Sequence, residues 1–326
     1  MKKMKKKMKR IGVLTSGGDA PGMNAAIRSV VRTAVYYKIE AIGIFRGYDG
    51  LINEDMKNLN HRSVSNIINR GGTLLKTDRS DKFRTVAGRK RAYEVIKKNN
   101  IDGLVLIGGD GTYRGGYIFN KEWGVPCIGV PGSIDNDIKG TDSTIGSDTA
   151  VNTALEAIDK IRDTATSMER IFIIEVMGRS SGYIAINAAL SGGAEDVLIP
   201  ERKYDMQKLC QDIVEGNLRG KMSWIVIVAE GVAKAGDIAK IITDTTTLET
   251  RVVTLGHIQR GGSPTAKDRI LATRLGAEAV NLLRKGMSAK AVGVTGSKIN
   301  IVRLGSAVTK RSTAVNSLYR LIKILT

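Results

Sequence analysis

The chain has 326 residues, 42% hydrophobic and 25% charged, a composition that fits a globular chain of one to three domains and excludes bulk disorder. It carries 51 Lys and Arg against 32 Asp and Glu, a formal net charge of +19, and seven of the basic residues lie in the opening MKKMKKKMKR. That run has no interleaved aromatic residues and no zinc-finger spacing, so we expect a solvated basic tail at residues 1–9 and no nucleic-acid partner.

The sequence also predicts where in the cell the protein is found. No apolar stretch approaches the roughly 18 to 20 residues of a spanning helix, and the N-terminus lacks the apolar segment of a secretion signal, so we expect a cytoplasmic protein without a membrane partner. Cys127 and Cys210 have no second cysteine or histidine at metal-ligand spacing, which favours two buried thiols over a disulfide or a zinc site.

Short apolar runs alternate with amphipathic segments along the chain. The runs predict strands at 11–16, 40–45, 102–108, 126–130, 170–176, 197–199, 224–231 and 251–256. The amphipathic segments predict helices that include 24–35, 89–98, 149–163 and 267–286. This alternation predicts an α/β fold of two doubly wound, Rossmann-like α/β/α domains with parallel sheets. The pattern resets near 147 and again near 259, and the segment after Gly293 is weakly patterned.

Glycine, acidic residues and arginine follow the predicted strands. The loops read TSGGDAPGMN at 15–24, GGDGT at 108–112, PGSIDNDIKG at 131–140, EVMGR at 175–179, AEG at 229–231 and LGHIQRGGSP at 255–264. Because ligands of open parallel sheets bind outside the carboxyl ends of the strands, these loops predict one ligand site. A single glycine loop has the simpler explanation of a steric turn.

Two of the loops are suited to phosphate. In TSGGDAPGMN, Gly17 and Gly18 can present backbone N–H groups to an anion, and Asn24 with the following helix adds the positive end of a dipole. A capped helix start is the alternative. In GGDGT, Asp110 would repel a phosphate unless a cation lies between them, so the loop predicts a phosphate ligand that carries Mg²⁺. The chain contains no GxxxxGK[ST] motif and no HRD or DFG set.

The PGSIDND segment carries two carboxylates. On an extended backbone, Asp135 and Asp137 would point to one face about 7 Å apart. One carboxylate could accept a proton from a hydroxyl while the other orients that hydroxyl or its magnesium, as phosphoryl transfer requires. An Asx-turn is the structural alternative. Arg79, Arg84 and Arg179 can supply guanidinium groups for phosphate oxygens.

Taken together, TSGGDAPGMNAAIR, INRGGT, IGGDGT, PGSIDNDIKGTD, EVMGR and LGHIQRGGSP resemble the bacterial ATP-dependent 6-phosphofructokinases over roughly residues 10–290. The resemblance implies Mg²⁺-dependent transfer of the ATP γ-phosphoryl group to the 1-hydroxyl of fructose 6-phosphate. It implies a homotetramer whose subunits have two α/β domains with the active site in the cleft between them. The larger, ATP-binding domain would comprise 10–146 plus 259–309, and the smaller, fructose 6-phosphate-binding domain 147–258 plus 310–326.

The resemblance also implies the catalytic roles. Asp135 would be the general base, with Asp137 and Ser133 beside the reacting hydroxyl; most relatives have threonine where Ser133 stands. The other catalytic residues would be Arg179 on the transferring phosphoryl group, Arg79 across the donor phosphates and Gly18, whose N–H would contact them. Asp110 would hold magnesium.

The binding residues implied by the resemblance fall into two sets. Those of the nucleotide would be Gly18, Tyr48, Arg79, Arg84, Gly109, Asp110, Gly111, Thr112 and Gly115. Those of the sugar phosphate would be Ser133, Asp135, Asp137, Arg170, Met177, Gly178, Arg179, Glu230, Arg251, His257 and Arg260. Arg170 and Arg251 correspond to residues that reach the sugar 6-phosphate from a neighbouring subunit, so active sites would be shared. Without the resemblance, a structural role would be the simpler reading of His257.

An effector site is implied as well. The residues matching positions that bind the diphosphate and metal of an allosteric nucleotide are Arg28, Arg32, Arg162, Glu195, Arg219 and Lys221. His61, Arg62 and Asn66 stand where relatives often have arginine, tyrosine and aspartate. We therefore expect a retained anion site with an altered response to ADP or phosphoenolpyruvate.

Alternatives remain at this stage. Pyrophosphate-dependent members of the superfamily resemble GGDD and PKTIDND, whereas this chain has Gly111 and Gly132 at the two altered positions, which favours ATP. Other GGDG-type kinases of NAD or lipids lack the PGSIDND and LGHIQRGG segments. The net charge of +19 leaves an RNA-binding protein as the alternative from another class.

Overall fold

The computed structural model describes residues 8–308 and 315–326. These residues form two compact units. The first contains the described residues of Met1–Asp148 and Arg260–Arg311, and the second those of Thr149–Gln259 and Ser312–Thr326. Most of the expected basic tail, and the expected boundary at 309/310, lie outside the described residues.

The strands have the following bounds: β1 Arg10–Ser16, β2 Glu40–Ile44, β3 Met56–Leu59, β4 Gly103–Gly108, β5 Cys127–Pro131, β6 Ile171–Val176, β7 Asp196–Leu198, β8 Trp224–Ala229, β9 Thr250–Thr254, β10 Lys290–Thr295 and β11 Lys298–Arg303. The helices are α1 Met23–Tyr36, α2 Gly47–Asn53, α3 Val86–Lys98, α4 Asp110–Trp123, α5 Ser147–Met168, α6 Tyr183–Ser191, α7 Met206–Leu218, α8 Ala235–Thr246, α9 Ala266–Arg284, α10 Leu304–Ala307 and α11 Val315–Leu325. Short 3-10 helices lie at Lys82–Arg84 and Gly256–Arg260.

The first unit is built on a seven-stranded sheet in the order β11-β10-β5-β4-β1-β2-β3. The inner pairs are parallel, and β3 and β11 are antiparallel edge strands. β1 lies between β4 and β2, so the strand order reverses beside β1. In open α/β sheets the crevice at such a reversal, outside the carboxyl ends of the strands, is where ligands bind.

The second unit has a four-stranded parallel sheet in the order β7-β8-β6-β9. β6 and β8 are almost entirely buried, as expected for inner strands covered by helices on both faces. Their carboxyl ends carry the EVMGR and AEG loops side by side, because Val176 pairs with Ala229.

An aromatic cluster stabilises the first unit beneath its glycine loops. The rings of Tyr48 and Phe83 stack with centroids 4.0 Å apart, and Phe83 meets Phe119 edge-on at 5.3 Å. Such pairs contribute about 0.5–1.5 kcal/mol each beyond the apolar area they bury. Burial raises the pKa of Tyr48 well above its usual value, and the Tyr48 hydroxyl donates to the carbonyl oxygen of Thr112 at 2.6 Å. Tyr48 therefore ties this cluster to the start of α4.

The α/β class with parallel sheets is confirmed, and the strands predicted from apolar runs lie within about two residues of β1, β2 and β4–β9. β3, β10 and β11 were not predicted, and the weakly patterned segment after Gly293 contains β11, α10 and α11. Both cysteines are free and buried, as expected. Within the part of the chain that the structure describes, no helix is long and apolar enough to cross a membrane.

Candidate functional site

The loops after β1, β4 and β5 are linked by hydrogen bonds at one edge of the first sheet. The hydroxyl of Thr112, in the first turn of α4, donates to the carbonyl oxygen of Ser16 at 2.8 Å, and Gly132 N–H donates to the carbonyl oxygen of Gly108 at 3.0 Å. These bonds hold the glycine loops and the carboxylate loop in fixed positions relative to one another. The sequence prediction that these motifs share one edge is therefore met within the first unit.

The loop after β1 does not present both of the backbone N–H groups that the sequence predicted to face an anion. Gly17, at φ +90°, donates its N–H to the carbonyl oxygen of Asp78 at 3.2 Å, so this N–H holds the 77–79 segment rather than facing a ligand. The expectation that Gly17 presents its N–H to an anion is wrong in this structure. Gly18 lies beside Arg260, whose Nη1 donates to the carbonyl oxygen of Asp19 at 3.0 Å. A Cβ added at Gly18 would meet that nitrogen at 2.5 Å.

Asn24 lies in the first turn of α1, where the positive end of a helix dipole was expected, and its side-chain amide has partners of its own. The buried amide of Asn24 donates to the carbonyl oxygens of Arg70 and Gly71 at 3.1 Å each and accepts the N–H of Leu74 at 2.6 Å. All of its strong contacts therefore go to the 70–74 segment. The Asn24 side chain therefore fixes the path of the 70–74 segment.

The GGDGT loop opens into α4. Gly109 precedes the helix, and Asp110 is its first residue, with its side chain exposed. A carboxylate at a helix N-terminus lies at the positive end of the helix dipole. A Cβ added at Gly111 would meet no atom within 4 Å, so this position has open space. The start of α4 therefore has an exposed carboxylate at Asp110 and no neighbouring atom that a side chain at Gly111 would meet.

Tyr48, Gly115 and Arg84 adjoin this loop. Tyr48 is only 4% exposed and lies against Gly115, where an added Cβ would meet the Tyr48 ring at 2.9 Å. Tyr48 thus supports the loop from within. Arg84 is exposed, and its carbonyl oxygen is held by the buried guanidinium of Arg89, which forms a bidentate pair with Glu122 at 2.6 and 2.8 Å. Hydrogen bonds from Arg89 lower the pKa of Glu122.

Ser133, Asp135 and Asp137 lie on one tight loop after β5. Asp135 N–H donates to Ser133 Oγ at 3.2 Å, and Ser133 Oγ donates to Asp137 Oδ1 at 3.4 Å. Asp135 is 4% exposed. The backbone between the carboxylates is not extended, because Asn136 has a left-handed φ of +49°. The two carboxylates are therefore grouped by a turn and not by strand alternation, which corrects the geometric premise of the sequence prediction.

In the second unit, the EVMGR loop is held by one carboxylate side chain, that of Glu230, and one amide side chain, that of Gln259. Glu230 Oε1 accepts the N–H groups of Gly178 and Arg179 at 3.2 and 2.8 Å. Met177 N–H donates to Oε1 of Gln259 at 2.9 Å, and Gln259 is completely buried. Arg179 itself is exposed and has a left-handed φ of +51°. The loop is thus fixed at each N–H while the Arg179 side chain remains accessible.

Gln259 was not anticipated from the sequence, where HIQR offers no periodic signal. Its neighbour His257 is exposed in the same 3-10 helix. Arg170 and Arg251 meet at Glu249: Arg170 Nε donates to Glu249 at 2.9 Å, and Arg251 forms an ion pair with the same carboxylate. The hydrogen bond from Arg170 lowers the pKa of Glu249. The two arginines expected to act on a shared phosphate are therefore neighbours.

The residues of the expected effector site divide between the units. Arg28 and Arg32 lie on α1 in the first unit. In the second unit, Glu195 contacts Arg162 Nη1 at 3.7 Å and Lys221 Nζ at 3.4 Å, beside a cavity of about 60 Å³. Arg219 instead pairs with Glu215 at 3.5 Å.

Gly231 is predicted to be essential for the shape of the EVMGR loop. A Cβ at Gly231 would overlap the carbonyl oxygen of Arg179, so Gly231→Ala must displace backbone, at about 1–3 kcal/mol of unfolding free energy. Chemical denaturation measures this change. Gly236→Ala is the matched control, because an added Cβ there meets nothing within 4 Å and alanine favours α8, so its stability should be unchanged or about 0.5–1 kcal/mol higher. Equal unfolding curves for Gly231→Ala and the parent would contradict the assigned contact.

The known proteins that this chain resembles are phosphofructokinases. The phosphofructokinase family model matches residues 10–283. Proteins named ATP-dependent 6-phosphofructokinase from Bacillus velezensis and Bacillus subtilis are 55% and 54% identical over 318 residues, which cover 98% of this chain and 99% of theirs. The protein of that name from Halothermothrix orenii is 51% identical over 330 residues, covering 98% of this chain and 99% of its own.

Solved structures agree in fold. A phosphofructokinase from Saccharomyces cerevisiae superposes with a TM-score of 0.88 at 35% identity, covering 97% of this chain and 47% of the yeast chain. The chain therefore spans about half the length of that yeast protein. A pyrophosphate-dependent phosphofructokinase from Marinobacter aquaeolei has a TM-score of 0.83 at 22% identity, covering 94% of this chain and 86% of its own, and supports the fold alone. By the family model and by relatives of more than 50% identity along almost its whole length, the chain belongs to the phosphofructokinase family.

Proposed function

We propose that the chain is an ATP-dependent 6-phosphofructokinase. It transfers the γ-phosphoryl group of ATP to the 1-hydroxyl of D-fructose 6-phosphate and yields fructose 1,6-bisphosphate and ADP, the committed step of glycolysis. As a glycolytic enzyme it acts in the cytoplasm. The observation that carries the proposal is the carboxylate loop of Ser133, Asp135 and Asp137 hydrogen-bonded, through Gly132 and Gly108, to the glycine loop that begins α4.

The donor is ATP rather than pyrophosphate. Gly111 and Gly132 occupy the two positions at which pyrophosphate-dependent relatives carry aspartate and lysine. The open space at Gly111 supports room for a nucleotide's α-phosphate, and a carboxylate there would add negative charge next to Asp110. Relatives named as ATP-dependent support the same donor.

The chemical step needs one base. Asp135 accepts the proton of the 1-hydroxyl as that oxygen forms a bond to the γ-phosphorus, and the bond from the γ-phosphorus to the bridging oxygen of ADP breaks. Asp137 and Ser133 orient the hydroxyl. The burial of Asp135 and its placement on the Ser133 hydroxyl support a fixed base, as an in-line transfer requires.

Cationic groups balance the phosphate charge. Arg179 contacts the transferring group, Arg79 and Arg84 contact the donor phosphates, and Gly18 N–H donates to them. The exposed side chains of these three arginines support such contacts. Guanidinium groups stabilise the equatorial oxygens of a loose transition state and so accelerate transfer.

Mg²⁺ is proposed as the cofactor, with Asp110 as its protein ligand. When bound, Mg²⁺ neutralises phosphate charge and orients the donor oxygens. Among residues 8–308 and 315–326, no group of three or more His, Cys, Asp or Glu is arranged to hold a metal ion. One exposed carboxylate at the start of α4 fits a cation held mainly by water and substrate phosphates, which is the usual mode for Mg²⁺.

Each unit contains residues proposed to contact the sugar phosphate. In the first unit these are Ser133, Asp135, Asp137 and Arg260, and in the second unit they are Met177, Gly178, Arg179, Glu230 and His257. Arg170 and Arg251 complete the 6-phosphate site of a neighbouring copy in a homotetramer. Their shared contact with Glu249 supports this role, because it holds two guanidinium groups together where a phosphate could replace the carboxylate.

A retained effector site is also proposed. Burial and the charge of Arg32 lower the pKa of Arg28, and Arg32 Nε is buried without a hydrogen-bond partner among the described residues. An anion such as the phosphates of ADP or phosphoenolpyruvate would satisfy both groups. Arg162, Arg219, Lys221 and Glu195 are the proposed partners in the second unit. Altered positions His61, Arg62 and Asn66 change the response to each effector.

The base assignment is tested by Asp135→Asn. The variant should lose about 10²–10⁴-fold in kcat with little change in KM, because the lost interaction acts at the transition state. Formation of fructose 1,6-bisphosphate from fructose 6-phosphate measures it, with ATP and pyrophosphate offered separately. Asp142→Asn is the control: it removes an exposed carboxylate from the same loop and should keep kcat within about threefold. A loss under tenfold in Asp135→Asn, or turnover with pyrophosphate and none with ATP, contradicts the proposal.

The effector proposal is tested by fructose 6-phosphate saturation with and without ADP or phosphoenolpyruvate. The parent curve should shift with at least one effector. The Arg32→Gln variant should need about tenfold more effector for the same shift, because it lacks one charged hydrogen bond to the anion. Lys38→Gln, an exposed position after α1, should leave the shift unchanged. Superimposable parent curves with and without both effectors would reject the site.

A further inference from the structure

Asn136 stands between the two carboxylates of the proposed catalytic loop and has an unusual backbone. Its φ is +49°, in the left-handed region, and its side chain is 1% exposed. Residues other than glycine adopt this region rarely, and asparagine does so more readily than most. The sharp change of direction at Asn136 sets how Asp135 and Asp137 project from the loop.

The side chain of Asn136 makes two hydrogen bonds across the loop. Thr144 N–H donates to Oδ1 at 2.9 Å, and Nδ2 donates to the carbonyl oxygen of Asp142 at 3.1 Å. The backbone donor at Thr144 fixes which end of the amide is the oxygen. Each end of the amide therefore has a single matching partner, and no other uncharged side chain of this size offers the same pair.

The partners of Asn136 are themselves attached to the start of the loop. Thr144 Oγ1 donates to the carbonyl oxygen of Ser133 at 2.5 Å, and Ser133 N–H donates to the carbonyl oxygen of Ile145 at 3.1 Å. The chain from Ser133 to Ile145 is thus closed on itself. The Asn136 amide connects the Asp-Asn-Asp triplet to the 142–144 end of this closed segment.

We propose that Asn136 is a positioning residue for phosphoryl transfer: its left-handed backbone and its two amide hydrogen bonds hold Asp135 and Asp137 in the arrangement that the transfer requires. This inference rests on the proposed function. Asn136 acts through the two carboxylates and does not itself contact the reacting atoms. A displacement of about 1 Å at a reacting group reduces the rate by about 10²-fold, so the effect belongs in kcat.

Two substitutions separate the backbone from the amide. Asn136→Gly retains access to the left-handed backbone and removes both hydrogen bonds, whereas Asn136→Ala removes the hydrogen bonds and also disfavours the backbone. We expect kcat to fall about tenfold in the glycine variant and about 100-fold in the alanine variant, with KM for ATP within about threefold of the parent. This order, with glycine partly restoring the rate, is a readout that loss of a buried amide alone would not produce.

Asn300→Ala is the matched control. Asn300 Nδ2 donates to the carbonyl oxygen of Gly140 at 3.0 Å, so the variant removes an amide hydrogen bond of the same kind from the same loop without touching the triplet. Its kcat should stay within about threefold of the parent. Far-ultraviolet circular dichroism and thermal midpoints establish that each variant is folded, and the glycine variant serves if the alanine variant does not fold.

The outcomes separate this inference from the proposed function. A parent that does not phosphorylate fructose 6-phosphate overturns both. An active parent with a folded Asn136→Gly variant of unchanged kcat overturns the positioning role alone. An equal loss in Asn300→Ala, or a loss that appears in KM for ATP and not in kcat, also overturns it. A graded loss of kcat, larger for alanine than for glycine and absent in the control, supports it.

Discussion

Parallel pairing of β1 with β4 and of β4 with β5 is the constraint on which the candidate site depends. It brings three strand ends to one edge, and each following loop is then fixed by a neighbour's backbone, as Thr112 is by Ser16 and Gly132 by Gly108. Without that register, the glycine loops and the carboxylate loop would have no common reference. The proposed chemistry is a consequence of the sheet order, in which the reversal beside β1 leaves the carboxyl edge open to a ligand.

The residues that hold the loops differ from the residues proposed to act on a ligand. Gly17 N–H, the Asn24 amide and Gln259 Oε1 bond to backbone, whereas Asp110, Arg79 and Arg179 leave their side chains exposed. Buried polar groups are hydrogen-bonded because leaving one unpaired costs about 1–3 kcal/mol. The same buried bonds keep the exposed charged groups in place. Loop rigidity and ligand contact are therefore assigned to different side chains.

The sequence predicted the inner strands and failed at the edges of the first sheet. Inner strands are continuous apolar runs, such as GLVLIG of β4, and are recognisable without tertiary information. β3 and β11 are largely exposed and contain polar residues, so their sequences cannot be distinguished from those of loops. β10 is apolar but contains Gly293, where a Cβ would meet the carbonyl oxygen of Gly140 at 2.5 Å. That glycine permits close packing of the loop after β5, and this requirement is visible only in three dimensions. For the site, residue types and order were predictable from strand-end motifs, but the turn at Asn136 and the use of Gly17 N–H depend on partners many residues away.

The proposed function requires the loops following β1 and β4, together with the 77–84 segment, to bind the phosphates of one nucleotide. Backbone amide hydrogen exchange of the intact chain, measured with and without ADP in the presence of Mg²⁺, tests this most directly. We expect exchange to slow together in peptides covering residues 16–22, 77–84 and 108–115. Binding of ADP that leaves all three segments unchanged, or that slows exchange only in the second unit, would contradict it.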